Sequence, residues 1–346
     1  MADGVNRHLH RAVYVTQRAP VHQEVARAAC PDKIELVMLV SPSTAEIIDA
    51  VADAEFLVSE RSRVIDAPII EAGSRLRLIQ RLGLQVHDID LDAARRAGVP
   101  VCRWPLPQCT MVAEHVVMQM MALLRRTREA EQIVVEASEA WGTPQRCDAD
   151  TFLIDWSRMQ GVRQLRDCAV GIVGLGEIGT ELALRLGSFG CELRYHRRNR
   201  LPDWAEEQLQ IAYAGLDELL DRSDVVVLLL PHSAETAGIA DAEFLRRLRP
   251  GSLLINAGAS SLLDEKAVAE AYRTGRLGGV ATDGFAWEPV RPDNPLIDLA
   301  SDRRANVVLT PHSAQAGLVI DVDVRRAEYT NLLAMLEGHP LQHRVA

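Results

Sequence analysis

The chain has 346 residues, of which 48% are hydrophobic and 25% are charged, and its formal net charge is -10. This length and composition are typical of a soluble protein with two domains, each large enough for a core of its own. Non-specific binding to nucleic acid or to an anionic membrane needs a cluster of positive charges, so the net negative charge argues against both.

The amino terminus has neither an apolar core of signal-peptide length nor a cleavage pattern of small residues. We therefore expect a cytoplasmic protein.

The first 105 residues predict a small α/β unit. Short apolar runs, typical of strands, alternate with segments rich in Ala, Glu and Arg, which are typical of helices. The strand candidates are RAVYVT, IELVML, AEFLVS, LRLIQRLG and VPVCRW.

One long helical stretch is predicted next, from Met111 to Trp141. Its apolar residues are too many for one solvent-facing stripe, so it needs cover on several sides, from its own domains or from a partner subunit. From 141 to 167 the periodicity is lost, which predicts a surface excursion that is either an additional wall of a cleft or plain surface. The last predicted helix ends at Gly338, with Pro340 two residues on.

A second alternation of strands and helices begins at Ala169. Its strand candidates are AVGIV, CELRYH, DVVVLLL, SLLINA, GGVATDG and NVVLTPH. The longest purely apolar run, VVVLLL at 225–230, is far shorter than the roughly 20 residues that span a bilayer. It therefore predicts a buried strand, and no membrane span is expected.

Cysteine usage gives no sign of a metal centre. The 6 cysteines are scattered, without a CxxC pair or a Cys/His cluster at zinc spacing. We expect these cysteines to be buried or to have no chemical role, because free cysteine is commonly buried.

Three glycines predict a dinucleotide-binding loop. Gly174, Gly176 and Gly179 have the GxGxxG spacing, with a five-residue strand pattern before them and a helix pattern after them. The first glycine permits a tight turn, the second lets a pyrophosphate approach the backbone, and the third allows close packing of helix on strand. A second strand follows about 20 residues on, as this motif requires.

The end of that second strand indicates which cofactor binds. A site that prefers NAD offers an Asp or Glu to the ribose 2'-hydroxyl, and CELRYHRRNR has neither after the strand. Arg197 and Arg198, with Arg200 close behind, instead suit a 2'-phosphate, since guanidinium binds phosphate through paired, charge-assisted hydrogen bonds. NADP(H) is favoured over NAD(H); a solvated basic strand end is the alternative.

Several motifs in family order resemble the D-isomer-specific 2-hydroxyacid dehydrogenases, the family of glyoxylate and hydroxypyruvate reductases and phosphoglycerate dehydrogenase. They are VAEHVVMQMMALLRR, VGIVGLGEIGTELALRLGSFG, LLPHSAETAGI, LRPGSLLINAG, LLDEKAV, ATDGFAWEP and LTPHSA. The resemblance implies two Rossmann-like α/β domains with a cleft between them. A flavodoxin-like substrate domain would comprise 1–107 and 313–346, and the dinucleotide-binding domain 108–312. It also implies a homodimer built largely through the nucleotide-binding domains.

The resemblance also implies site residues. His312 matches the family's acid/base histidine and Glu288 its carboxylate partner, which favours the imidazolium form. Asp283 matches an aspartate near the nicotinamide amide. Further cofactor-binding positions are Glu177 and Ile178, beside the pyrophosphate, and Pro231 and Ala257, in the matching loops.

The substrate side departs from the family pattern. The arginine that binds the substrate carboxylate belongs at position 259, where this chain has Ala259. The loop whose backbone meets the carboxylate reads Gly83, Leu84, Gln85, with Gln85 in place of a second glycine, and Gln108 replaces the usual Asn. Losing a charged donor would cost a carboxylate site roughly 1.5 to 3 kcal/mol. Two other arginines are candidate replacements, Arg61 and Arg81.

Two hypotheses about function follow from this pattern. The first is an NADP(H)-dependent oxidoreductase acting on a carbonyl or hydroxyl compound other than a simple 2-keto acid. The second is a nucleotide-sensing interaction protein, similar to corepressor relatives in the family, that keeps the fold and cofactor without turnover. The retained pair of Glu288 and His312 favours the enzyme.

Overall fold

The computed structural model describes residues 9–60, 62–317 and 321–346. They divide into two compact units. The first unit contains the residues up to Cys109 and those from Gly317 on, and the second is Thr110–Ala316. These boundaries lie close to the domain limits at 107 and 312 that the resemblance implies.

Strands and helices alternate in both units. The strands are β1 His10–Thr16, β2 Ile34–Val40, β3 Phe56–Ser59, β4 Leu78–Leu82, β5 Val101–Trp104, β6 Ala169–Val173, β7 Glu192–His196, β8 Ala212–Tyr213, β9 Val225–Leu228, β10 Ser252–Asn256, β11 Leu277–Thr282 and β12 Val307–Leu309. The helices are α1 Pro20–Ala29, α2 Thr44–Val51, α3 Ala67–Ala72, α4 Leu91–Arg96, α5 Pro107–Leu124, α6 Thr127–Glu136, α7 Glu177–Gly187, α8 Asp203–Leu209, α9 Leu216–Arg222, α10 Ala242–Arg247, α11 Glu265–Arg273, α12 Pro295–Ser301, α13 Val322–Arg326 and α14 Thr330–Glu337.

The first unit is built on a five-stranded parallel sheet with the order β2-β1-β3-β4-β5. Its predicted strands are all present. The C-terminal helix is divided into α13, a 3-10 turn and α14, and it ends as predicted at Gly338, whose φ is 71°. Its position, which periodicity left open, is within the first unit, where α13 contacts α1 and α14 contacts β4.

The second unit has a seven-stranded parallel sheet with the order β12-β11-β10-β9-β6-β7-β8. The chain runs outward from β6 in one direction as far as β8 and then continues on the other side with β9. Ligands of such sheets bind outside the carboxyl ends of the strands at this reversal. The loops after β6 and β9 are therefore the expected cofactor edge. The two-residue strand β8 is not among the predicted strands, because both of its residues are exposed and carry no apolar pattern.

The helical stretch predicted from 111 to 141 is two helices, so the prediction of one was wrong. Arg126 has a φ of 50° and separates α5 from α6. An arginine in the left-handed region interrupts the hydrogen-bond ladder of a helix, and side-chain periodicity does not report this. One side of α5, with Val116, Met120 and Leu123, packs into the core of the second unit.

The surface excursion is confirmed. Residues 142–164 contain neither helix nor strand and are mostly exposed; the side chain of Ile154 is 82% exposed. The rings of Trp141 and Trp156 contact each other edge to face, with centroids 5.9 Å apart. None of the helices in the described residues is long and apolar enough to cross a bilayer.

Candidate active site

The glycine loop after β6 has the geometry of a dinucleotide cradle. Gly174 has a φ of 100°, and a Cβ there would lie 2.9 Å from the Leu229 carbonyl carbon. A Cβ at Gly179 would lie 2.9 Å from the Gly174 carbonyl oxygen, which is the close packing of helix on strand that the motif predicts. At Gly176 a Cβ would meet none of the described atoms within 4 Å. A side chain at Gly176 would thus not clash with the described part of the chain, and α7 begins there at Glu177, followed by Ile178. A helix start of this kind is where a pyrophosphate binds in dinucleotide-binding loops.

The three arginines after β7 have different environments. Arg197 donates to the Leu175 carbonyl at 3.4 Å, so its guanidinium lies against the glycine loop. Arg198 is 84% exposed and pairs with Glu235 at 2.9 Å. Arg200 is bound twice by Glu206, at 2.9 and 2.8 Å. Arg200 therefore anchors the start of α8, whereas Arg197 lies beside the glycine loop and Arg198 lies at the surface.

Two further predicted cofactor positions follow neighbouring strands at the same edge. Pro231 lies in the loop after β9, where its carbonyl accepts the Thr236 hydroxyl at 2.7 Å. Ala257 comes directly after β10 and is half-buried. A Cβ at Gly258 would lie 2.7 Å from the Leu230 carbonyl oxygen, so the two loops touch.

The predicted acid/base pair is assembled in the second unit. His312 Nδ1 and Glu288 Oε2 are 2.7 Å apart, and the two side chains are 65% and 35% exposed. His312 has a φ of 53°, a conformation that costs a non-glycine residue of the order of 1 to 3 kcal/mol and is concentrated at functional sites. Asp283 holds the next residues, because its carboxylate accepts the Ser313 and Ala314 N–H groups at 2.9 and 2.8 Å.

The electrostatics of the pair favour a charged imidazole. The hydrogen bond to Glu288 raises the pKa of His312, and this outweighs its partial desolvation. Partial burial acts to raise the pKa of Glu288, but hydrogen bonds from His312, the Phe285 N–H and the Ser260 hydroxyl outweigh it and lower the pKa. At neutral pH the arrangement is therefore an ionised carboxylate beside a histidine that retains its proton more readily than usual.

Ser260 is a site residue that sequence reasoning missed. Its hydroxyl donates to Glu288 Oε1 at 3.1 Å, and the Phe285 N–H donates to the same oxygen at 3.0 Å. Gly284 leaves room for this contact, since a Cβ there would lie 2.3 Å from Ser260 Oγ. The available signal was a hydroxyl in the loop after β10, at the sheet edge that also carries Glu288.

Replacing Ser260 by Ala should raise the pKa of Glu288, because one of the hydrogen bonds that favour its carboxylate is lost. The acidic limb of the pH profile of kcat/KM should then move to higher pH, and kcat/KM on that limb should fall roughly three- to tenfold. Ser261→Ala is the matched control, since the Ser261 hydroxyl bonds His232 at 2.7 Å instead. Equal profiles for the two variants would contradict this role of Ser260.

Position 259, which the resemblance places on the substrate side, carries no cation. Ala259 is half-buried against apolar side chains, and its N–H donates to the Leu230 carbonyl at 3.0 Å. Leu84, Gln85 and Gln108 lie in the first unit; Gln85 is buried, and the other two are half-buried.

The structure contradicts Arg81 as a replacement for the missing arginine. Arg81 is 0% exposed and binds both Asp88 oxygens at 2.9 and 2.7 Å, with further bonds to the Ser59 hydroxyl and the Gln85 carbonyl. A guanidinium enclosed in this way supports the 83–85 loop. The other candidate, Arg61, lies outside the described residues.

Comparisons with known proteins agree with this geometry. Residues 117–314 match the family model of the D-isomer specific 2-hydroxyacid dehydrogenase NAD binding domain. The chain is 32% identical over 286 residues to D-3-phosphoglycerate dehydrogenase of Mycobacterium leprae, covering 82% of this chain and 50% of that one. It is 31% identical over 299 residues to glyoxylate reductase of Korarchaeum cryptofilum, covering 86% of this chain and 84% of that one.

A solved structure has the same fold. The PH0520 protein of Pyrococcus horikoshii is 29% identical, with a TM-score of 0.55 over 97% of this chain and 95% of that one. The chain thus spans about half the length of the phosphoglycerate dehydrogenase it matches and most of the other two proteins. With its glycine cradle and its His312–Glu288 pair on a parallel α/β sheet, the chain belongs to the D-isomer specific 2-hydroxyacid dehydrogenase family of oxidoreductases.

Proposed function

We propose that this protein is an NADP(H)-dependent oxidoreductase that transfers hydride between the nicotinamide and a carbonyl or hydroxyl compound other than a simple 2-keto acid. The observation that carries the proposal is the 2.7 Å contact of His312 with Glu288, combined with an alanine at the family's arginine position. The pair supplies a proton, and position 259 supplies no charge for a carboxylate.

In this proposal the two ring nitrogens of His312 have different tasks. Nδ1 donates to the ionised Glu288, so Nε2 carries the proton that can leave. When bound, the nicotinamide supplies the hydride to the carbonyl carbon. His312 protonates the carbonyl oxygen through Nε2, and Glu288 stabilises the imidazolium before the transfer. In the oxidative direction His312 accepts the hydroxyl proton at the same nitrogen.

The residues of the second unit suit a dinucleotide. The Gly174–Gly179 loop and the amino end of α7 would bind the pyrophosphate, and Arg197 with Arg198 would bind a 2'-phosphate. Asp283 is 4% exposed and is engaged with the His312 loop, so its contact with the nicotinamide amide remains a prediction.

A screen of carbonyl compounds tests the function directly. NADPH oxidation with some member of the panel is expected, together with weak activity on glyoxylate and hydroxypyruvate. Tight NADP(H) binding without turnover on any member, together with a partner or oligomer change on binding, would instead support a nucleotide sensor. The exposed and correctly paired imidazole favours the enzyme, because a sensor does not need a transferable proton.

Replacing Arg197 by Asp is expected to raise the Kd for NADPH roughly tenfold more than the Kd for NADH, because the new carboxylate repels the 2'-phosphate. Fluorescence titration with both cofactors measures the ratio. Arg200→Gln is the control: since Arg200 is held by Glu206, it should lower thermal stability and leave the ratio unchanged. An unchanged ratio in Arg197→Asp would remove the NADP assignment.

We also propose a cytoplasmic homodimer formed through the second unit. The support for this comes from the family, and light scattering of the purified chain would test the dimer. A monomeric mass across the micromolar range would contradict it.

A further inference from the structure

A buried polar network lies behind the loop that carries His312. Its members within the second unit are His115 and Gln119 on α5, Asp283 after β11, and Thr310 after β12. Gln119 is 0% exposed, Asp283 is 4% exposed and the His115 side chain is 12% exposed. Burying polar groups this deeply costs free energy unless they are hydrogen-bonded. Their role therefore depends on which bonds these residues form and what the bonds hold in place.

The hydrogen bonds of Thr310 can be assigned by counting protons. Its hydroxyl has one proton, and the shortest contact of Oγ1 is to Asp283 Oδ1 at 2.6 Å. The Gln119 amide nitrogen, at 3.2 Å, then donates to Oγ1. His115 Nε2, at 3.0 Å from Oγ1, must therefore also be a donor. The three donors point in one direction, from α5 through Thr310 to Asp283.

The endpoint of this chain is the backbone beside His312. Asp283 accepts the N–H groups of Ser313 and Ala314, the two residues that follow His312. His115 Nε2 also lies 3.4 Å from Asp283 Oδ1. The carboxylate is thus held by α5 on one side and holds the histidine loop, with its φ of 53° at His312, on the other.

The amide of Gln119 points to the same conclusion. Its Oε1 is buried and has no hydrogen-bond partner among the described residues. A methionine would fill a similar volume without leaving a buried oxygen unpaired. Turning the amide over would place Oε1 against Thr310 Oγ1, whose proton is already donated to Asp283. The amide nitrogen of Gln119 therefore faces Thr310 and donates to its hydroxyl oxygen.

We propose that His115 and Gln119 are positioning residues for His312: they fix the Thr310 hydroxyl on Asp283, and Asp283 fixes the loop that sets the contact between His312 and Glu288. This inference rests on the proposed function, because it assigns a role in proton transfer to two residues that act on His312 through Thr310 and Asp283. Groups that act on a reacting residue in this way hold it within a few tenths of an ångström of its productive place.

Thr310→Val and Thr310→Ser form the matched test pair, since Val keeps the shape without the hydroxyl and Ser keeps the hydroxyl. The pKa of His312 is read by NMR on the full chain without substrate, with its signal identified by its loss in His312→Asn. In Thr310→Val we expect this pKa to fall towards that of an ordinary histidine, because the contact with Glu288 loosens. Thr310→Ser should keep the original value. With an active substrate, kcat should fall about tenfold in Val, with KM little changed.

A second pair covers the case in which Thr310→Val does not fold. His115→Leu removes the donor and should lower the pKa of His312, whereas His115→Gln keeps an N–H donor and should restore most of it. A folded Thr310→Val or His115→Leu with an unaltered pKa of His312 would overturn the proposal. The NMR measurement of the His312 pKa needs no turnover. If no carbonyl compound of the panel were reduced, the proposed function would be contradicted, but the pKa measurement would still test the positioning role of His115 and Gln119.

Discussion

Replacing His312 by Asn is expected to lower kcat for carbonyl reduction by roughly 100- to 10,000-fold, the usual contribution of a positioned general acid. Asn can still donate to Glu288, but it has no proton to give at the substrate oxygen. The loss of NADPH absorbance with the best compound of the panel measures the effect. Glu288→Gln should lose less, because the imidazole is retained and only its preference for the charged form is weakened.

Controls separate this loss from damage to the fold. His312→Asn should bind NADPH with unchanged affinity and should unfold at an unchanged or slightly higher temperature, since Asn tolerates the left-handed conformation at position 312 better than His does. A variant that keeps a tenth or more of the original kcat would contradict the assignment of His312. An unaltered kcat in Glu288→Gln would contradict the role of the pair.

Replacing Ala259 by Arg is expected to increase kcat/KM for glyoxylate or hydroxypyruvate by roughly 10- to 150-fold, which corresponds to about 1.5 to 3 kcal/mol for a charged hydrogen bond to the substrate carboxylate. Ala259 is half-buried in the loop that also carries Ser260, so the long stem of an arginine can lie along apolar surface while its guanidinium reaches solvent. Activity on the compound that the unaltered chain reduces best should fall, because an arginine side chain is much larger than the methyl group of Ala259.

Ala259→Met is the control for size without charge, and it should give no gain on the 2-keto acids. An equal gain with Met would show that filling space matters more than charge. Strong activity of the unaltered chain on glyoxylate or hydroxypyruvate would refute the explanation that the missing arginine at position 259 excludes these acids. In that case the carboxylate would be bound by a cation at another position.

Strand positions could be predicted because buried parallel strands are short continuous apolar runs. Val225–Leu228 is an example, with all four residues buried. The interruption at Arg126 could not be predicted, because a left-handed residue leaves the apolar pattern on both sides intact. The same reasoning explains β8, whose two exposed residues owe their strand conformation to pairing with β7.

Within the candidate site, motif spacing located the glycine loop, and the family resemblance located His312 and Glu288. Neither source could show that Ser260 bonds Glu288, that Arg200 belongs to Glu206, or that Arg81 is enclosed by Asp88. Serine and arginine are common in loops and on surfaces. Their partners become known only when distant segments lie side by side.

By itself, the sequence determined the α/β class, the family and the absence of an arginine at 259, since these depend on local periodicity, motif spacing and residue identity. The tertiary structure decided which groups touch: the 2.7 Å contact of His312 with Glu288, and the chain from His115 through Thr310 to Asp283. Hydrogen bonds act over about 3 Å, whereas the residues that form these are up to 195 positions apart along the chain. Only the folding of the sheet brings such residues within that range.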